Sequence, residues 1–124
     1  MTLLNRISVC FVLGLTAGLA VLIAVTTLSP VPLHPTAFGH DKLVHLFSFA
    51  VLVLPASVRH PRALLWLGPA AILFGGAIEI IQPFVGRERE GLDFLADSLG
   101  VGLGAIVGLV IHHYFAPASW HRNA

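Results

Sequence analysis

Long apolar runs alternate with short polar interruptions along nearly the whole of this 124-residue chain. The first run, Ile7 to Leu28, is roughly 22 residues, which at 1.5 Å rise per residue crosses a bilayer core of about 30 Å as one helix. Arg6 precedes it and Ser29-Pro30-Val31-Pro32 stops it. A cleaved signal peptide is the alternative, but its apolar region is normally about 7–15 residues long and precedes a small-residue site. This run is longer and ends in prolines, which favours an uncleaved helix. The second run, Leu43 to Val58, is roughly 16 residues, or about 24 Å. It spans only if flanking residues help or the bilayer thins, and Pro55 is placed to kink it. Arg59-His60-Pro61-Arg62 then makes a tight turn. The third run is Ala63 to Val85 and the fourth Leu92 to Phe115. Four such runs with short connections predict an all-α fold, a polytopic membrane protein whose single domain, residues 1–124, is an antiparallel bundle of four transmembrane helices.

Lipid is as apolar as leucine, so helices in a bilayer associate where small residues let backbones approach. The fourth run carries Gly100, Gly104 and Gly108 on one face, the first Gly14 and Gly18, the third Gly75-Gly76. These faces are expected to pack inward.

Composition sharpens the assignment. Apolar residues make up 56% of the chain and charged residues 10%, against about 25% charged in soluble domains. The formal net charge is +1, so no basic patch argues for nucleic acid. The one cysteine, Cys10, excludes an internal disulfide and reads as an inert thiol within a membrane helix. Arg6, Arg59, Arg62 and Arg122 would lie on one side, Lys42, Arg87 and Arg89 on the other. The positive-inside rule, and the absence of acids from the first side, place both termini in the cytoplasm.

All six acids then collect at the outer end. Asp41, Lys42 and His45 open the second helix. Glu79 and Gln82 lie near the outer end of the third. Arg87 to Glu90 form the loop, and Asp93 and Asp97 open the fourth. Asp41 and His45 share a helix face, as do Asp93 and Asp97. Gly75, Glu79 and Gln82 form one stripe. The glycine face of the fourth helix continues into Asp97, so the aspartates point at partner helices. Glu79, roughly 10 Å below the loop, is the costliest residue: it is neutral there unless paired with His45, Arg87 or Lys42. Ionisable residues inside a membrane are functional candidates by default. Plainer explanations exist for the others. Asp93 suits an N-cap, Asp93 and Asp97 suit the positive helix end, and Glu88, Arg89 and Glu90 suit a solvated loop. His112, His113 and His121 read as interfacial residues at the inner surface.

In order, Asp41-Lys42-x-x-His45, Glu79-x-x-Gln82, Gly86-Arg87 with Asp93 six residues on, and Gly100 with Gly104 make a pattern. On these motifs the chain resembles the VanZ-like family of small bacterial membrane proteins, from the proline-rich segment before Asp41 to the end of the fourth helix. Asp97 stands where family members commonly carry asparagine, which adds a negative charge. The resemblance implies a protein of the bacterial inner membrane and cell envelope. The eponymous member is associated with resistance to the glycopeptide antibiotic teicoplanin.

Three functions compete. In the first, the outer cluster of Asp41, Lys42, His45, Glu79, Gln82, Arg87, Asp93 and Asp97 binds an amphiphilic or lipid-linked envelope molecule, or a membrane protein partner. Small size and a glycine-packed core favour it. In the second, the chain is a membrane-embedded enzyme with catalytic candidates His45, Glu79 and Asp93 in acid–base roles and Arg87 and Lys42 holding a phosphate or carboxylate. No nucleophile motif surrounds Ser48 or Ser98. The third is a small transporter subunit, disfavoured because such proteins carry polar groups near the midplane. A metal site of His45, Glu79 and Asp93 lacks the short ligand-pair spacings of dedicated sites, so neither metal nor cofactor is expected.

Overall fold

The computed structural model describes residues 3–30, 40–117 and 120. The expectations for Val31, Pro32, His121 and Arg122 fall outside these residues. Four helices follow in order: α1 (Leu3–Thr27), α2 (His40–Arg59), α3 (Leu64–Ile81) and α4 (Gly91–Phe115). Single 3-10 turns, Pro61–Ala63 and Gln82–Val85, precede and follow α3. No strand occurs among the described residues. Four segments are long and apolar enough to cross a membrane: Arg6–Thr27, Asp41–Arg59, Pro61–Val85 and Gly91–Phe115.

The helix ends have local causes. At the end of α1, Thr26 Oγ1 donates to the Leu22 carbonyl at 2.9 Å and Thr27 Oγ1 to that of Ile23 at 2.7 Å. Both give an extra partner to carbonyls in an apolar run. The expected shortness of the second span is corrected. The helix starts at His40, three residues before the apolar run, and Asp41 in its first turn and Arg59 in its last complement the helix dipole. The resulting 19-residue span is about 28 Å long. Pro61 ends this arm, and the His60 N–H closes onto Ala56 O at 2.7 Å. The third run is not one helix to Val85. Pro83 lacks an N–H and tightens the chain into the 3-10 turn. Gly86, at φ 79°, then reverses it, the left-handed conformation that favours glycine.

Packing centres on α2. Its inward stripe of Phe49, Leu52, Val53 and Ala56 is essentially inaccessible. It meets Ile78 and Ala71 of α3, Val101 of α4 and Ile23 of α1. The Phe49 and Phe74 rings lie 5.9 Å apart. The opposite faces carry exposed Phe11, Leu65, Leu73 and Ile106, which suits a hydrocarbon surround. The α2–α4 pair is the closest in the fold. A Cβ added at Gly100 or Gly104 would strike the backbone carbonyl of Leu46 or Ala50, and one at Gly108 would strike Ser57. The glycine face of α4 therefore packs as its spacing predicts. On α1 the expectation fails: nothing lies within 4 Å of an added Cβ at Gly14 or Gly18, and both are exposed. Glycine spacing marks a face able to approach a neighbour, and α1 turns that face away.

Candidate functional site

The inward stripe of each helix becomes polar at one end of the molecule. On α2, one turn before Phe49, the stripe reaches His45. On α4, one turn before Gly100 and Val101, it reaches Ala96 and Asp97, and a further turn back Asp93. On α3 it passes from Gly75 through Ile78 to Glu79 and Gln82. His45, Glu79, Gln82, Asp93 and Asp97 are each at most 4% exposed. Helical period places them in register with the core, and close approach of α2 to α4 brings together residues about 50 positions apart.

At the centre, His45 Nδ1 lies 2.9 Å from Asp97 Oδ1, a buried hydrogen bond. The other ring nitrogen, Nε2, lies 3.9 Å from Asp93 Oδ2. Lys42 Nζ donates to Asp93 Oδ1 at 3.1 Å and to Glu90 Oε2 at 2.6 Å. Glu79 forms no ion pair within 4 Å among the described residues. Its Oε2 accepts the backbone N–H of Glu90 at 3.1 Å, so the pairing with His45, Arg87 or Lys42 held open above is replaced by a backbone donor. Glu79 is nevertheless close to the centre: one ligand-type atom from each of His45, Glu79 and Asp97 falls within 4.8 Å of the others. Three buried oxygens here, Glu79 Oε1, Asp97 Oδ2 and Gln82 Oε1, have no hydrogen-bond partner among the described residues.

Two openings reach this layer. An axial cleft of about 240 Å³ is lined by Pro30, Asp41, Gln82, Gly86, Arg87, Glu88, Glu90 and Asp93. A lateral, mostly apolar groove between α3 and α4 is lined by Gly76, Glu79, Ile80, Arg89, Gly91 and Phe94. Glu79 borders the groove, and Asp93 borders the cleft.

All eight residues singled out in the sequence lie at this end, in distinct roles. His45, Asp93, Asp97 and Lys42 form a connected network, with Glu79 beside it. Asp41, half-buried, lines the cleft and lies within 4.8 Å of His45 and Asp93. Gln82 is buried at its floor. Arg87 donates to the Ser29 carbonyl at a long 3.4 Å and forms no ion pair within 4 Å among the described residues. Two expectations are corrected. Asp93 is not an N-cap: α4 opens earlier, with Glu90 at the cap position, and Asp93 in its first turn turns inward to Lys42. Glu90 is not a plain loop residue, since its carboxylate binds Lys42 and its N–H binds Glu79. Nothing in the linear pattern marked it, because both partners lie on other helices.

The far end differs from expectation too. His112 is buried against α2, where its Nδ1 lies 2.7 Å from the Val58 carbonyl. It continues the glycine face by one turn instead of sitting at an interface. His60 Nε2 lies 3.2 Å from Ser8 Oγ, and burial, with the neighbouring Arg59 charge, holds the His60 pKa below its usual 6.5. The Arg59 guanidinium lies 4.4 Å from the Trp120 ring centroid.

Compared with protein-family models, curated proteins and solved structures, the chain has no match in any of the three.

Proposed function

We propose that this chain is a VanZ-like antiparallel bundle of four transmembrane helices in a bacterial inner membrane, both termini cytoplasmic, whose polar end faces outward. There it binds the head of an amphiphilic or lipid-linked envelope molecule, and through that ligand it affects glycopeptide susceptibility. One observation carries the reading: the buried polar layer opens both axially, beside Arg87 and Asp41, and laterally, through the apolar groove between α3 and α4. A ligand with a polar head and an acyl chain fits that pair of openings. Arg87 and Arg89 supply positive charge for a phosphate or carboxylate, and Ile80 and Phe94 at the groove accept the chain. The acids gathered at this end, against arginines Arg6, Arg59 and Arg62 at the other, support the orientation.

The test uses the full chain in nanodiscs. Binding of a lipid-linked wall precursor, and separately of teicoplanin, is followed by isothermal titration calorimetry. Arg87→Gln and Arg89→Gln together are expected to weaken binding about tenfold or more, the loss of one to two charge-assisted hydrogen bonds. Unchanged affinity in the double variant would refute the assignment of this end. A Glu88→Cys probe that stays protected from impermeant maleimide in intact cells would refute the orientation.

A second reading, a membrane-embedded enzyme acting on the same class of substrate, is favoured by the His45 ring standing between Asp97 and Asp93 with Glu79 beside it. In that reading Asp97 orients the imidazole and Glu79 or Asp93 exchanges the proton. A defined lipid species that accumulates on deletion and disappears on overexpression would establish it.

A further inference from the structure

We propose that His45, Glu79 and Asp97 form a binding site for one first-row divalent cation, of the zinc or manganese class, enclosed between α2, α3 and α4. The sequence offers no ligand-pair spacing for such a site, since each ligand comes from a different helix. The fold supplies what the spacing lacks. One imidazole nitrogen and two carboxylate oxygens lie within 4.8 Å of one another. Around a cation with bonds of about 2.1 Å, neighbouring ligand atoms sit about 3.0–3.4 Å apart. The 2.9 Å His45–Asp97 contact is already close to that distance, and Glu79 has at most about 1.4–1.8 Å to close from the 4.8 Å bound. A cation on His45 Nδ1 would replace the proton now shared with Asp97 Oδ1, and Asp97 would ligate it through both Oδ1 and the orphaned Oδ2.

The independent observation is the pair of orphaned oxygens. Glu79 Oε1 and Asp97 Oδ2 are buried and have no donor among the described residues, on side chains that are 3% and 0% exposed. A buried carboxylate oxygen without a donor is costly, and a cation satisfies both at once. Gly75 keeps the space open: a Cβ there would lie 2.8 Å from Asp97 Oδ2. The remaining Glu79 oxygen is already oriented by the Glu90 N–H, the outer-shell support that metal ligands commonly have. A second grouping, Asp41, His45 and Asp93, also falls within 4.8 Å. It is the poorer site, because Lys42 Nζ occupies Asp93 Oδ1 and places a positive charge beside it. One nitrogen with two carboxylates suits zinc, manganese or ferrous iron better than thiolate-seeking ions.

This inference goes beyond the ligand-binding reading and does not depend on it, because metal uptake is measured on pure protein with no amphiphile present. The full chain, purified without a histidine tag, is stripped with chelator, and titrated with Zn2+ and with Mn2+. Bound metal is measured by mass spectrometry after desalting, and thermal unfolding is followed in parallel. The expected result is about one equivalent of one of these ions and a rise in melting temperature. Glu79→Gln and Asp97→Asn should each weaken binding beyond the roughly 10–100-fold typical of outer-shell changes. Asp93→Asn should weaken it tenfold or less, and His113→Gln, at the far end, should change nothing. Wild-type protein that retains neither ion and shows no melting shift overturns the proposal, whatever the variants do. Full retention in folded Glu79→Gln and Asp97→Asn also overturns it. If either variant does not fold, Gly75→Ala, which crowds Asp97 without removing a ligand, is expected to lower affinity, and unaltered affinity there counts against the site.

Discussion

The two ends of the α2–α4 seam are built from the same materials and reach opposite results. About 22 Å separate Asp97 from His112 along α4, and both are buried on the face that carries Gly100, Gly104 and Gly108. At the His112 end the imidazole meets the Val58 carbonyl, and Ser57 Oγ donates to Val53 O at 2.8 Å. His112 of α4 ends on a carbonyl of α2 and so acts as helix glue, whereas the Ser57 bond stays within α2. At the Asp97 end, side chains meet side chains from three helices, and three oxygens are left over. Buried polar groups that finish on backbone hold helices together. Buried polar groups that converge and stay under-satisfied describe a site for something the chain lacks.

The largest effect should come from the part that both ends share. Gly104→Leu should cost about 3 kcal/mol or more, because its side chain meets the Ala50 backbone, which cannot move aside. Gly18→Leu on the outer face of α1 should stay within about 0.5 kcal/mol. Unfolding in mixed detergent micelles measures both, and equal costs would mean that the α2–α4 contact is not close.

A double-mutant cycle then separates the ends. His45→Ala with Asp97→Ala, measured in chelator, should show a coupling of about 1–2 kcal/mol. His45→Ala with His112→Ala should be additive to about 0.3–0.5 kcal/mol, given the distance. Coupling between the two histidines would show that the ends are one cooperative device and would dissolve the contrast.

His112→Ala alone should cost about 1 kcal/mol or more, since the Val58 hydrogen bond is lost, without altering metal uptake or ligand affinity. A loss of either function in a folded His112→Ala protein would place the site, or part of it, at the wrong end.

The smallest effect is a pH dependence at the His60 turn. Its pKa is lower in the folded chain than the usual 6.5, through burial first and Arg59 second. The unfolded chain therefore takes up this proton first. The stability tied to neutral His60 is complete above pH of about 6.5 and declines as pH falls below it. His60→Gln should flatten that part of the stability profile, and a wild-type profile that is flat below pH 6.5 would exclude the effect.

Much of the polar end was legible in the chain. His45, Glu79, Asp93 and Asp97 stand out because charge within an apolar run is expensive, and the spacing of Glu79 from Gly75 and of Asp97 from Gly100 puts them on inward stripes. The partners were not legible. The sequence leaves Glu79 to choose among His45, Arg87 and Lys42, and the fold gives it the Glu90 N–H. Asp93 suits a cap, yet α4 starts at Gly91 and turns Asp93 toward Lys42. Gly14 and Gly18 have the same spacing as the α4 glycines and pack against nothing within 4 Å. A helical period says which residues share a face. It does not say which neighbour that face meets.

Hydropathy and helical period are sums over neighbouring residues, so the chain by itself determined four apolar helices, a turn at Arg59–Arg62, a loop at Arg87–Glu90, and a polar stripe at one end. Pairings such as His45 with Asp97, 52 residues apart, depend on how closely α2 approaches α4 and on the rotation of each helix about its axis. Those quantities are set by contacts among all the helices together, and only the tertiary structure decided them.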